Sequence, residues 1–345
     1  MGEMTIKDIA KMCGVGISTV SRAINNHPDI NPETKEMINA TIKEYGYIPN
    51  NSARNLKRTE AKSIAVLVKG ISNIFFSSMI KVMEEEIKRR KYTMVLHHVE
   101  FNEDEVDVAL QLVKEKRLAG IIFLGGYFHH SEDKLKKLHV PFVLSTIGCP
   151  PENFSKKGYS SISVDDEQES YNMVNWLIEN GHKRIAILCA SPDDESIGKL
   201  RLEGYKKALV ENKIEVDPEL IMPMSSDMEQ YSLQSGYDLA TKLLEKNLRF
   251  SALYAISDMM AIGACKAIFD KGMKIPEDYS VAGFDGTEMG AFYNPSLTTV
   301  RQPVEDMAKA TAQLLFEVLS EKSVHKHRIF PAELVIRQSA KRIEE

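Results

Sequence analysis

The sequence predicts an α/β protein in two unequal parts. The first is a three-helix helix-turn-helix head followed by a hinge. The second is a two-lobed body of doubly wound parallel sheets. Three observations carry this. Between Thr5 and Asn25, two short stretches of helical periodicity flank Gly14-Val15-Gly16. From Ser63 onward, short apolar runs alternate with longer amphipathic ones, the pattern of βαβ units whose sheet is covered on both faces. A loop rich in Pro, Gly and Ser, residues 149–161, divides that alternation into two halves. The expected boundaries are 1–48 for the head, 49–61 for the hinge and 62–345 for the body. Within the body, the first lobe takes about 62–161 and 304–325, and the second about 162–290 and 326–340.

In the head, Thr5 and Asp8 stand three apart at the start of an apolar-periodic run, a spacing that lets the Thr hydroxyl cap a helix. Ile6, Ile9, Ala10 and Cys13 share one face of that helix. The glycines then permit a tight reversal. In the second helix Ile17, Val20, Ala23 and Ile24 are apolar, whereas Ser18, Thr19, Ser21, Arg22 and Asn25 are polar. Two short helices joined in this way form a helix-turn-helix, whose second helix suits a DNA major groove. A small helical hairpin without that role has the same local pattern. Asn31-Pro32-Glu33 combines an N-cap, a first-turn proline and an acid, and opens a third helix to about Tyr45. Met37, Ile38, Ile42 and Tyr45 are expected to close its core. After Pro49 the segment Asn50-Asn51-Ser52-Ala53-Arg54-Asn55-Leu56 has room for one or two helical turns, too short to be stable alone in water.

Body strands are expected at 63–68, 92–98, 120–124, 141–145, 161–164, 184–189, near 220, 252–256, 280–284 and 328–337. Helices are expected at 75–91, 103–116, 132–139, 168–180, 198–212, 233–246, 259–271 and 304–319. Two such halves in tandem are arranged as in periplasmic sugar-binding proteins, with a ligand crevice between the lobes. The carboxyl ends of parallel strands line such crevices.

Charge is unevenly placed. The 345 residues carry a net charge of −5, yet residues 1–58 hold eight Lys or Arg against six Asp or Glu. A basic head on an acidic body fits a DNA-contacting module joined to a part that must not bind DNA. Cysteines 13, 149, 189 and 265 show no metal or CxxC spacing, so reduced thiols in a cytoplasmic protein are expected. No signal peptide or long apolar span is present, and no membrane partner is expected. Nucleophile-elbow, Walker and zinc-protease motifs are missing, and the His97-His98, His129-His130 and His325/His327 groups lack partnering acids at fixed spacing. Neither catalysis, a metal nor a cofactor is expected. Trp176 is read as core.

Four signatures in the head, TIKDIA (5–10), STVSR (18–22), GYIPN (46–50) and ARNL (53–56), resemble the lactose-repressor (LacI/GalR) family of bacterial transcription regulators. Looser marks continue through the body: SNIFF (72–76), VDD (164–166), GHKRIAIL (181–188), RLEGY (201–205), SDMMAIGA (257–264), VAGFDG (281–286) and TTVRQP (298–303). The resemblance implies a repressor acting as a homodimer on a palindromic double-stranded DNA operator, with recognition helices about 34 Å apart. Ile17, Ser18 and Arg22 then face base edges or adjacent phosphates, and Thr5, Thr19, Asn25, Thr34 and Tyr47 face phosphates. Asn50, Ala53, Arg54 and Leu56 belong to a minor-groove hinge helix, with Leu56 as the wedge. A small-molecule effector, expected to be a sugar, is implied between the lobes. Arg201 and Asp285 form the leading pair, Asp165 and Ser257 are further polar candidates, and Phe76 and Tyr127 offer an apolar platform. The sequence departs from the family pattern at Gly16 (commonly Ser), Ile74 (Pro) and Ser257 (Asn). The alternative is a cytosolic sugar-binding or sugar-modifying α/β protein whose head is an interaction module.

Overall fold

The computed structural model describes residues 5–24, 27–45, 62–127, 132–148, 158–225, 227–320 and 325–343. It divides into two compact units, residues 1–60 and 61–345.

In the first unit, α1 (Ile6–Met12), α2 (Ile17–Ile24) and α3 (Pro32–Glu44) enclose a small core of Ile9, Ala10, Val20, Ala23 and Ile38. Ile6, Cys13, Val15, Ile24, Ile30 and Ile42 pack around it. The expected contribution from Met37 and Tyr45 is not made: they are 42% and 47% exposed. Ile38 and Ile42, four apart, already fill the face of α3 turned to α1 and α2. Asn31 caps α3 as its sequence predicts, accepting from the amides of Glu33 (2.8 Å) and Thr34 (3.3 Å). At α1 the roles reverse. The Thr5 hydroxyl donates to the Asp8 carboxylate at 2.6 Å, and the Thr5 amide donates to the same oxygen at 2.9 Å. Those bonds from Thr5 hold the Asp8 carboxyl below its usual range.

The second unit holds two six-stranded sheets of matching design. Its strands are β1 (Ser63–Lys69), β2 (Thr93–Val99), β3 (Leu118–Leu124), β4 (Phe142–Ser145), β5 (Ser160–Val164), β6 (Ile185–Cys189), β7 (Ile221–Pro223), β8 (Ala252–Ala255), β9 (Ser280–Asp285), β10 (Thr298–Arg301), β11 (His327–Phe330) and β12 (Glu333–Val335). Its helices are α4 (Ile74–Arg89), α5 (Glu105–Glu115), α6 (Glu132–Leu135), α7 (Asp166–Glu179), α8 (Ile197–Glu211), α9 (Leu233–Glu245), α10 (Asp258–Asp270), α11 (Glu288–Phe292) and α12 (Val304–Leu319). The first sheet runs β2-β1-β3-β4-β5-β11 and the second β7-β6-β8-β9-β10-β12. All pairings are parallel except β10–β12. The central strands are buried apart from half-buried Ser63 and Ala119, as helices on both faces require.

The chain passes between the sheets after β5, after β10 and between β11 and β12. This corrects the expected lobe limits. Residues 162–164 belong to β5, which pairs with β4 in the first sheet, so the first crossing comes at 165. The run expected as one strand, 328–337, is two: β11 pairs with β5 and β12 with β10. Pro331 lies between them and cannot donate to a ladder. Helix α12 packs on α4, β3 and β4 of the first sheet. Strand β10 and helix α11 were not anticipated.

Candidate functional site

Two surfaces stand out, one in each unit. On the head, α2 presents Ile17 (45% exposed), Ser18 and Arg22 outward, and Val20 and Ala23 inward. An exposed Ile in the first turn of so short a helix does not serve the core, and its methyl groups suit the thymine methyl of a major groove. Arg22 lies 3.8 Å from Asp29, which also bonds to His27. Thr19 and Thr34 are half-buried and Thr5 is exposed. The expected contacts Asn25, Tyr47, Asn50, Ala53, Arg54 and Leu56 lie outside the described residues.

In the body, the carboxyl ends of both sheets face a cleft enclosing about 620 Å³ of empty space, its open mouth included. Phe76, Tyr127, Arg201 and Asp285 all line it. Phe76, near the start of α4, packs edge-to-face on Phe75 with centroids 5.5 Å apart. Tyr127 follows β3 and offers a half-buried ring whose hydroxyl points to the Phe101 carbonyl at 3.4 Å. Burial and the neighbouring carboxylate of Glu105 raise its hydroxyl pKa.

Arg201 is fully buried in α8. Its Nε donates to Asp166 Oδ1 at 2.9 Å and its Nη1 to the Ile256 carbonyl at 2.5 Å. Its Nη1 stands 3.6 Å from Asp285 Oδ1, and the guanidinium lies 3.6 Å above the Phe284 ring. Arg201 and Asp285 therefore meet each other directly, both within the second lobe. Asp285 ends β9 with φ +121° and also accepts from Gln302 Nε2 (2.9 Å) and Asn73 Nδ2 (3.2 Å). Asn73, from the first lobe, caps α4 with its other side-chain atom. Burial pushes the Asp166 carboxyl up to about 6 against the pull of Arg201. Burial also raises Asp285, opposed by Arg201, Asn73 and Gln302.

Two expected residues are elsewhere. Asp165 is exposed and accepts from the Gln168 amide at 3.1 Å, capping α7. Ser257 is buried and caps α10 through the Met260 amide at 3.3 Å. Neither lines the cleft. Sequence reasoning missed Lys69, Asn73, Thr146, Ser196, Tyr231 and Gln302, which do. Lys69, Thr146 and Gln302 each sit at or just past the end of a strand, a signal open to the sequence. Thr146 (φ +65°) and Tyr231 (φ +55°) adopt left-handed backbone, uncommon for such residues and concentrated where chains bind ligands. Among the described residues no group of three His, Cys, Asp or Glu is placed to hold a metal, and no helix is long and apolar enough to cross a membrane.

Known proteins match both units. Residues 5–50 match the family model described as bacterial regulatory proteins, lacI family, and residues 174–340 match a periplasmic binding protein-like domain. The transcriptional regulator MalR of Clostridium butyricum is 44% identical over 338 residues, covering 97% of this chain and 99% of that protein. Among solved structures, the lac repressor dimer bound to operator and an anti-inducer shares the fold at a TM-score of 0.76 and 24% identity, covering 99% of this chain and 100% of that one. The cellobiose complex of the transcriptional regulator CelR has a TM-score of 0.69 and 26% identity, covering 98% of this chain and 100% of that one. The sugar-modifying alternative gives way to these matches. The chain belongs to the LacI family of bacterial transcriptional regulators, with a DNA-binding helix-turn-helix head and an effector-binding body, and it is not an enzyme.

Proposed function

We propose that this regulator is a cytoplasmic repressor, a homodimer whose hold on a two-fold symmetric operator is switched by a sugar bound between its lobes. The observation that carries the sugar is the make-up of the cleft. One wall is aromatic, with Phe76, Phe101 and Tyr127; the other is a hydrogen-bonding edge of Arg201, Asp285 and Gln302, joined by Asn73. A pyranose has an apolar face and a rim of hydroxyls, and that pairing matches it. The CelR neighbour, solved with cellobiose, supports the same class.

For DNA, Ile17 is assigned to a thymine methyl, Ser18 to a polar base edge, and Arg22 to a guanine edge or phosphate. Thr5, Thr19, Asn25, Thr34 and Tyr47 are assigned to the backbone, and Asn50, Ala53, Arg54 and Leu56 to the minor groove. Sugar binding alters operator affinity through its different affinity for the two states of the body, with coupling of about 1–3 kcal/mol. The test is selection of bound duplexes from a random DNA pool by the purified protein, repeated with Leu56→Ala and in the presence of sugars. A symmetric site, weakened by Leu56→Ala and shifted in affinity by one sugar, is the expected result. No enriched sequence at any salt concentration would refute the reading.

A further inference from the structure

The charges lining the cleft already satisfy one another. In the first lobe Lys69, 5% exposed at the end of β1, donates to the Glu103 carbonyl at 2.5 Å and lies 3.2 Å from Oε2 of Glu105, itself 1% exposed. Two rings cover the same ammonium, Tyr127 at 3.8 Å from its centroid and Phe101 at 5.6 Å. The other carboxylate oxygen of Glu105 accepts the Tyr127 amide at 2.6 Å. Gly126, at φ +120°, permits that approach, because a Cβ there would come within 2.3 Å of Glu105 Oε1. In the second lobe Arg201 faces both Asp166 and Asp285. Lys69 and Arg201 are the two cations among the described residues lining the cleft. Three carboxylates answer them. An anionic ligand would enter against a lining with no net positive charge, and would have to break a buried ion pair to find a partner.

We propose that Glu105 makes the cleft selective for uncharged ligands, an unphosphorylated sugar rather than a sugar phosphate, by cancelling the Lys69 ammonium within its wall. This rests on the reading of the cleft as the effector site and narrows its ligand class. Thr146 suits a sugar. It lines the cleft, is 3% exposed, and its Oγ1 has no hydrogen-bond partner among the described residues. A hydroxyl that both donates and accepts can be matched in both roles by a sugar hydroxyl. Sugar phosphates carry such hydroxyls too, so Thr146 fits a sugar of either kind, and the Lys69–Glu105 pair alone sets the preference against the phosphate.

The experiment is titration calorimetry of the full-length protein with glucose, ribose and cellobiose, and with glucose 6-phosphate and ribose 5-phosphate. Wild type is compared with Glu105→Gln and with the double substitution Lys69→Met/Glu105→Gln. Wild type is expected to bind at least one neutral sugar, and the phosphate esters at least about a hundredfold more weakly. Glu105→Gln exposes an uncompensated ammonium and is expected to strengthen ester binding at least about tenfold; the double variant, neutral again, returns it to the wild-type level. Esters that bind wild type as tightly as the neutral sugars would overturn the proposal. So would a panel in which no neutral sugar binds, or a folded Glu105→Gln with unchanged ester affinity. If Glu105→Gln does not fold, the wild-type comparison decides alone. Calorimetry reads the cleft without DNA, so a failure of operator binding counts against the regulatory reading and leaves this result standing.

Discussion

Four buried charged groups, Asp166, Arg201, Asp258 and Asp285, set the chemistry of the second lobe, none more than 3% exposed. Asp258 accepts from the Thr287 amide and hydroxyl (2.6 and 2.8 Å) and from the Thr299 hydroxyl (2.5 Å). Burial, then the nearby charge of Asp285, pushes its carboxyl up to about 7 despite those bonds. An unfolded Asp carboxyl releases its proton near 3.8. Between those values the folded chain keeps a proton that the unfolded chain has lost. Stability therefore falls as pH rises from about 4 to about 7, by up to about 4 kcal/mol from this group, and levels off above. Asp258→Asn keeps an oxygen for Thr287 and offers its amide to Thr299, so it should fold. The drop in melting temperature between pH 5 and pH 8 should shrink in this variant, with a residue left by Asp166. Parallel melting slopes for the two proteins would exclude Asp258 as the source. Arg201→Lys keeps the charge and loses the guanidinium fork that reaches Asp166 and Ile256 together. We expect a folded protein with at least about tenfold weaker sugar binding, read by calorimetry; undiminished affinity would refute the role given to Arg201.

Helix starts provide a pair of substitutions with opposite signs. Asn31 holds two amides of α3, and Asn31→Ala should destabilise the head by about 1 kcal/mol. Gly16 precedes α2 and has only ordinary contacts where a Cβ would go, the nearest at 3.5 Å from Ser18 Oγ. Gly16→Ser therefore adds a capping hydroxyl without a clash, and should stabilise the head by about 0.5 kcal/mol. Amide exchange of α1–α3 in the full-length protein measures both, and equal protection in the two variants would contradict the assignment. Elements with a strong local signal were legible in advance. Asn31-Pro32-Glu33 announced α3, and the apolar runs announced β1, β3 and β9. Sheet membership was not, because the choice of β4 as partner for β5 depends on residues far along the chain. Pro331 did carry a local warning that 328–337 is not one strand. The site divides the same way. Arg201, Asp285, Phe76 and Tyr127 could be named from motifs and strand ends. Adjacent Asp165 and Asp166 could not be told apart, because one residue along a helix turns a side chain by about 100°. The first caps α7 and the second meets Arg201.

Across the whole body, three chain crossings join the two lobes, and the cleft is lined by strand ends and helix starts from both. The Asn73–Asp285 hydrogen bond ties the first lobe to the second at 3.2 Å. Asn73 also caps α4 through its Oδ1, on the Phe75 amide at 3.0 Å. Asn73→Asp preserves the shape and the cap, but sets a carboxylate where Asn73 had a donor. Two carboxyls at that distance cannot both ionise: one retains a proton or the lobes part. Opening lowers the population that can grip a ligand from both sides, and the apparent affinity falls in proportion. At pH 8 we expect sugar binding at least about tenfold weaker than wild type, a loss of about 1.4 kcal/mol, with part of it recovered at pH 5 as the shared proton returns. Asn73→Ser, which caps without charge, separates the lost hydrogen bond from the added repulsion and should show a smaller loss with no recovery at low pH. Equal affinities for wild type and Asn73→Asp at pH 8 would mean that the contact between Asn73 and Asp285 plays no part in holding the lobes together around a ligand.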